Sequence, residues 1–109
     1  MLQLWQTEWC PASRRVRQRL TELGIDYVTR QVPVAREQRS ALVEATGTDT
    51  IPALVLDDGR TIVGEEPILR LLDDSIVEPP EAEAHRSKAA RARRRYLEEE
   101  CECSQPVTR

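Results

Sequence analysis

The apolar positions change their spacing along the chain, and the changes mark out its elements. Leu2, Leu4 and Trp5 form a short apolar run that predicts a strand at the very start. From Pro11 to Leu23 the apolar residues Ala12, Val16, Leu20 and Leu23 recur at intervals of four, four and three, which is one face of a helix. Gly24 stands where a helix C-terminal cap belongs. The stretch Ile25–Val34 is rich in β-formers but interrupted by Pro33, and Arg36–Ala45 reads as a second helix with Leu42, Val43 and Ala45 apolar and Gly47 as its stop. Ala53–Leu56 is the continuous apolar run of a buried strand. Asp57-Asp58-Gly59-Arg60 is a hairpin turn, and Thr61–Val63 is its return strand. Gly64-Glu65-Glu66-Pro67 opens a third helix, with the acids at its positive end and Ile68, Leu71 and Leu72 as its buried stripe.

The order is βαβαββα, ending near Ser75. It predicts an α/β fold: a four-stranded mixed sheet with helices on both faces. That domain occupies residues 1–76. Residues 77–109 read as a linker and a charged C-terminal helical tail, in which Ala82, His85, Ala89, Ala92 and Tyr96 make a weak small-residue face. The Arg91–Arg95 run is offset by Glu98, Glu99, Glu100 and Glu102, as in a charge-paired helix.

Composition narrows the function classes. The chain has 109 residues, 39% hydrophobic and 32% charged, which is a globular composition. No apolar run reaches the length of a membrane span, and the N-terminus lacks the basic and apolar regions of a signal peptide, so a cytoplasmic location is the default expectation. A net charge of −3 gives no electrostatic case for nucleic acid. Three cysteines, Cys10, Cys101 and Cys103, are too few and too oddly placed for a stapling disulfide framework. Cys101-x-Cys103 lacks the further ligands a zinc site needs, so no metal is expected. These two thiols read as incidental, with a fold-back to Cys10 as the minority reading.

The chemistry concentrates in Cys10-Pro11-Ala12-Ser13. Pro11 suits the first helical position, which makes Cys10 the N-cap. A sulfur there faces the N–H groups of Ala12 and Ser13 and the positive end of the helix dipole, with Arg14 and Arg15 one turn on; all of these favour the thiolate, the form that attacks. Ser13 stands where a dithiol motif has its second cysteine. Its hydroxyl can donate to the sulfur but cannot resolve a mixed disulfide, so Cys10 would work as a monothiol. Thr50-Ile51-Pro52, before the third strand, is a second signal, although spacing alone does not set the isomer of its X-Pro bond. Trp9 suits either shielding of the thiol and substrate docking or plain edge packing, and Trp5 reads as core. Arg36 and Arg39 read as a solvated helix face more readily than as partners of a ligand carboxylate. His85 is a weak candidate for a base.

Element order, the CPxS at the first helix and the TIP before the third strand together resemble glutaredoxins and the N-terminal domain of glutathione S-transferases over about residues 1–75. The resemblance implies a thioredoxin-like fold with Cys10 as nucleophile and a cis-proline at Pro52. It implies that Ile51 pairs through its backbone with the cysteinyl part of glutathione, and that Gly64, Glu65 and Glu66 hold the γ-glutamyl group. Thr7 stands where glutaredoxins often carry a lysine, and two acids replace the more usual pair at the last helix, which makes the expected site more negative. The all-helical second domain of a transferase has no counterpart in the tail. The reading is a monothiol thiol–disulfide oxidoreductase using glutathione or another low-molecular-weight thiol on mixed-disulfide protein substrates. The alternative is a non-catalytic thioredoxin-fold binding or adaptor module. An iron–sulfur carrier is less favoured, because such glutaredoxins carry CGFS and Pro11 replaces that glycine. The sequence sets no oligomeric state.

Overall fold

The structure, a computed structural model, describes residues 1–96 and, within them, side chains through Arg93. Cys101, Cys103 and the acids Glu98, Glu99, Glu100 and Glu102 lie outside the described residues. The elements are β1 (Leu2–Gln6), α1 (Pro11–Glu22), β2 (Tyr27–Gln31), α2 (Ser40–Thr46), β3 (Ala53–Val55), β4 (Thr61–Val63), α3 (Glu65–Ser75) and α4 (Ala82–Tyr96). The strands form one mixed sheet in the order β2-β1-β3-β4. β1 is parallel to β2 and antiparallel to β3, and β3 is antiparallel to β4. This is the α/β thioredoxin-like architecture.

Alternation along the central strands divides the core between two faces. Leu4 and Leu54, paired across β1 and β3, point toward Val16, Leu20 and Leu23 of the α1 region and Ile68 and Leu72 of α3. Their neighbours Trp5 and Ala53 point the other way, toward Val32 and Leu42. Leu4, Leu20, Leu54 and Ile68 are fully enclosed, each worth roughly 1.5–3 kcal/mol of transfer free energy. Ser13, fully buried, takes the first place on the inward line of α1, ahead of Val16 and Leu20.

α1 stops at a Schellman turn. Gly24 lies at φ +70, its N–H donates to Thr21 O (3.1 Å), and the Ile25 N–H donates to Leu20 O (3.0 Å). Ile25 is thereby drawn into the cap, and β2 starts at Tyr27. The segment expected as a single helix over Arg36–Ala45 is broken. A 3₁₀ turn covers Arg36–Gln38, and α2 begins at Ser40. The reason is Arg39, whose guanidinium is buried and donates to Pro33 O (2.8 Å), Val34 O (3.0 Å) and Asp49 O (2.8 Å). Only Leu42 of the expected apolar face is buried; Val43 and Ala45 are exposed.

α4 packs along α1. Ala82 is fully buried. Buried Glu22 accepts from Arg19 (2.8 Å), Arg86 (3.4 Å) and Gln18 (2.7 Å). Glu78 bridges Arg19 (3.0 Å) and Arg86 (2.8 Å), and Arg93 donates to Gln18 (2.9 Å). No helix among the described residues is long and apolar enough to cross a membrane.

Candidate functional site

β1 delivers the chain to one end of the sheet, where residues 7–10 cross over to α1. Cys10 is the N-cap with φ −80 and ψ 120, Pro11 follows in the first turn, and the Arg14 N–H closes that turn on Cys10 O (2.9 Å). Among the described residues the Cys10 thiol is free of any disulfide, and it is half-buried. No side chain caps α1. Hence the Cys10 sulfur does not accept the N-cap hydrogen bond expected of it. The Ser13 hydroxyl is buried without a hydrogen-bond partner, so the expected Ser13–Cys10 bond is not formed either. Ser13 lies on the buried side of α1 with Val16 and Leu20.

Pro52 lies at the same end of the sheet, directly before Ala53, the partner of Trp5. The Ile51–Pro52 bond is cis, as the resemblance implied. Pro52 O accepts the Gly64 N–H at 2.8 Å, which ties the proline corner to the opening of α3. Gly64 is the N-cap of α3 at φ +97, a conformation that favours glycine, and no side chain caps this helix. Two helix openings without side-chain caps, one carrying Cys10 and the other Gly64–Glu66, thus share one end of the sheet with Pro52.

Residues 9–75 match the family model described as the glutathione S-transferase N-terminal domain. The chain belongs to that family. A glutathione transferase family member from Pseudomonas fluorescens, solved with bound glutathione, is 28% identical with a TM-score of 0.65 over 73% of this chain and 40% of that one. A glutathione S-transferase from Sinorhizobium meliloti is 27% identical with a TM-score of 0.63 over 73% of this chain and 38% of its own. A protein described as a possible glutathione S-transferase from Rhodopseudomonas palustris shares the fold over 91% of this chain and 48% of its own, at 20% identity and a TM-score of 0.61. The chain therefore spans less than half the length of each of these structures. No curated protein gives a significant match.

Within this glutathione S-transferase N-terminal fold, the acids at α3 are not alike. Glu65 is gripped by Arg15 of α1, whose Nη2 donates to Oε1 (2.9 Å) and whose Nε donates to Oε2. Glu66 is exposed. The expected surplus of negative charge is thereby halved by a residue that sequence reading assigned to the sulfur alone. Glu65 holds the Arg15 guanidinium above its ordinary value, and the nearby charge of Cys10 adds to that effect. Arg15 thus faces both the helix-opening acid and the thiol.

The β1–α1 crossover is held by a residue the sequence did not single out. Arg17 donates to Gln6 Oε1, to Thr7 O (3.2 Å) and to Glu8 O (3.1 Å). Among four arginines on α1, only the fold reveals which one braces the loop. Glu8 accepts from Gln6 (3.2 Å) and Gln31 (2.7 Å), and these bonds hold its carboxyl below the ordinary 4.5. Trp9 is 49% exposed, so its indole stands on the surface beside the thiol. Trp5 packs against the α2-side core, with Arg30 over its ring at 6.0 Å. Arg39 is neither a solvated side chain nor a ligand contact, since backbone carbonyls occupy it. His85 lies exposed on α4.

Proposed function

We propose that this domain binds glutathione across the Pro52 corner and uses Cys10 as a monothiol nucleophile in thiol–disulfide exchange. The observation that supports it best is the meeting of two helix openings without side-chain caps at that corner, tied by the Gly64 N–H to Pro52 O bond. A helix opening with N–H groups to offer suits a carboxylate, and glutathione carries two. Exposed Glu66 suits the ammonium of the γ-glutamyl end, and the backbone of Ile51 suits the cysteinyl part. The glutathione bound to the Pseudomonas fluorescens relative supports the choice of thiol.

In the reaction, the Cys10 thiolate attacks the glutathione sulfur of a protein–glutathione mixed disulfide. That S–S bond breaks, the protein leaves as thiolate and takes a proton from water, and Cys10 carries the glutathione. A second glutathione thiolate attacks the carried glutathione sulfur, releases glutathione disulfide and restores Cys10. In the net exchange one free glutathione is consumed, the protein thiol is released, and the disulfide leaves as glutathione disulfide. Ser13 supplies no second thiol.

The test is turnover of a glutathionylated protein by wild type and Cys10→Ser, with glutathione replaced in parallel by other small thiols. Loss of all turnover in the variant is expected; equal turnover ends the proposal. A binding or adaptor module is the second reading, and the Arg15–Glu65 pair favours it because it occupies one acid of the ligand end. Under that reading the wild type binds glutathione or a protein partner without turnover.

A further inference from the structure

The crossover that carries Cys10 is not fixed by the devices nearest to it. The Cys10 side chain makes no capping bond to α1, and the hydroxyls of Thr7 and Ser13 are buried without a partner. The turn's own closing bond, from the Cys10 N–H to Thr7 O, is 3.4 Å, which is long for an amide and a carbonyl. A firmer hold on this segment comes from further along the chain.

Cys10, Arg14 and Arg17 share one face of α1, and helical side chains lean toward the N-terminus, so Arg17 reaches back along the first two turns. There its Nη1 donates to Gln6 Oε1 and to Thr7 O (3.2 Å), and its Nη2 donates to Glu8 O (3.1 Å). Thr7 O is therefore shared between the Arg17 guanidinium and the Cys10 N–H. Gln6 is fully buried and lies in register with Gln31, and its carbonyl takes the Val32 N–H (3.0 Å). Its side-chain nitrogen donates to Glu8 Oε1 (3.2 Å), which Gln31 holds as well (2.7 Å). Arg17, Gln6 and Glu8 thus close a ring across the crossover, anchored in the sheet on one side and in α1 on the other. The Arg17 side chain is 19% exposed, so water competes little for these bonds.

We propose that Arg17 is a positioning residue for Cys10: its fork over the Thr7 and Glu8 carbonyls sets the course of the chain into α1, and with it the direction from which the thiol meets a mixed disulfide. The inference rests on the monothiol reading above and names a further residue of that site. Thiol–disulfide exchange needs the attacking sulfur in line with the bond it breaks. A misplacement of about 1 Å costs up to about a hundredfold in rate. Arg17 acts through the backbone and not on the sulfur. Its partners Gln6, Thr7 and Glu8 are none of the residues proposed to hold glutathione, so its removal weakens the chemical step and leaves binding alone. A lysine in its place keeps the charge, but an ammonium does not reproduce a planar fork over two carbonyls.

The experiment follows turnover of a glutathionylated peptide by the full chain and by its Arg17→Lys and Arg17→Ala variants across a pH series. On the same samples it follows alkylation of Cys10 by iodoacetamide, read by mass on the tryptic peptide 1–14. In Arg17→Lys, kcat is expected to fall at least about tenfold with KM within about twofold of wild type. Alkylation needs no alignment with a bound partner, and is expected to stay within about twofold and to keep its pH dependence, because lysine retains the charge. Exchange of the Cys10 and Arg14 amides, whose N–H groups bond within this turn, is expected to quicken at least about tenfold, with Leu4 and Leu54 unchanged. Arg17→Ala is expected to lose as much kcat as Arg17→Lys, which separates the fork from the charge. Wild-type kcat in Arg17→Lys, a loss borne by KM alone, or a fall in alkylation that tracks the fall in kcat each overturn the positioning role. Faster exchange spread to Leu4 and Leu54 overturns it too, since Arg17 would then support the whole sheet. If wild type turns over the peptide and Arg17→Lys matches it, the monothiol reading stands and the part of Arg17 falls. If wild type turns over no mixed disulfide, both fall.

Discussion

Arg15 on α1 and Glu65 at the opening of α3 form a two-point ion pair, Nη2 to Oε1 at 2.9 Å and Nε to Oε2, across 50 residues of sequence. The pair fastens together the two helix openings that flank Pro52 and sets a fixed positive charge near Cys10. It is partly exposed, with side chains 47% and 24% accessible, so its worth to stability is small.

Arg15→Ala is therefore expected to lower unfolding free energy by no more than about 1 kcal/mol, read from urea titration. Its effect on chemistry is the more telling one. Loss of the charge slows alkylation of Cys10 by iodoacetamide near neutral pH, by no more than about fivefold if an exposed charge contributes about 1 kcal/mol. An unchanged alkylation rate would show that Arg15 serves Glu65 alone.

Ser13 offers a test in the opposite direction. Its hydroxyl is buried without a partner, and such a group costs about 1–3 kcal/mol. Ser13→Ala is expected to leave stability unchanged or raise it by up to about 1 kcal/mol, with Cys10 alkylation unaffected. A large fall in alkylation rate would mean that the hydroxyl turns to the sulfur once it ionises.

Arg39 holds the approach to Ile51 and Pro52 through three carbonyls from two separate segments. A lysine keeps the charge but cannot match that planar fork. Arg39→Lys is expected to cost about 2–3 kcal/mol in urea unfolding and to raise amide exchange over residues 47–51. Wild-type stability in this variant would contradict the buried clamp.

Glu78 links α4 to α1 and carries a pH signature. Arg86 first, and Arg19 with it, hold its carboxyl below the ordinary 4.5. A folded value below the unfolded one gives stability that is fully present above 4.5 and lost as pH falls through the folded value. The stability gap between wild type and Glu78→Gln is thus expected at pH 7 and to close well below pH 4.5. A gap that persists in acid would assign the effect to packing instead of charge.

The sequence by itself determined whatever depends on neighbours along the chain. Pro11 after Cys10 makes the N-cap, the four-four-three spacing gives the inward line of α1, Gly24 and Gly47 end their helices, and Asp58-Gly59 turns the hairpin, because each is a matter of local backbone geometry and periodicity. The cis form of Pro52 came through a family likeness and not through spacing. Tertiary structure decided which polar side chains meet. Arg15, Arg17, Arg19 and Arg39 look alike in sequence, yet one pairs with Glu65, one braces the loop before Cys10, one joins α1 to Asp73 and Glu78, and one is buried among carbonyls and breaks a helix that periodicity had made continuous. A charged side chain is as long as several residues of helix and takes its partner from whatever folding brings near. Its role is set by the fold, while the apolar pattern that builds the fold can be read before it.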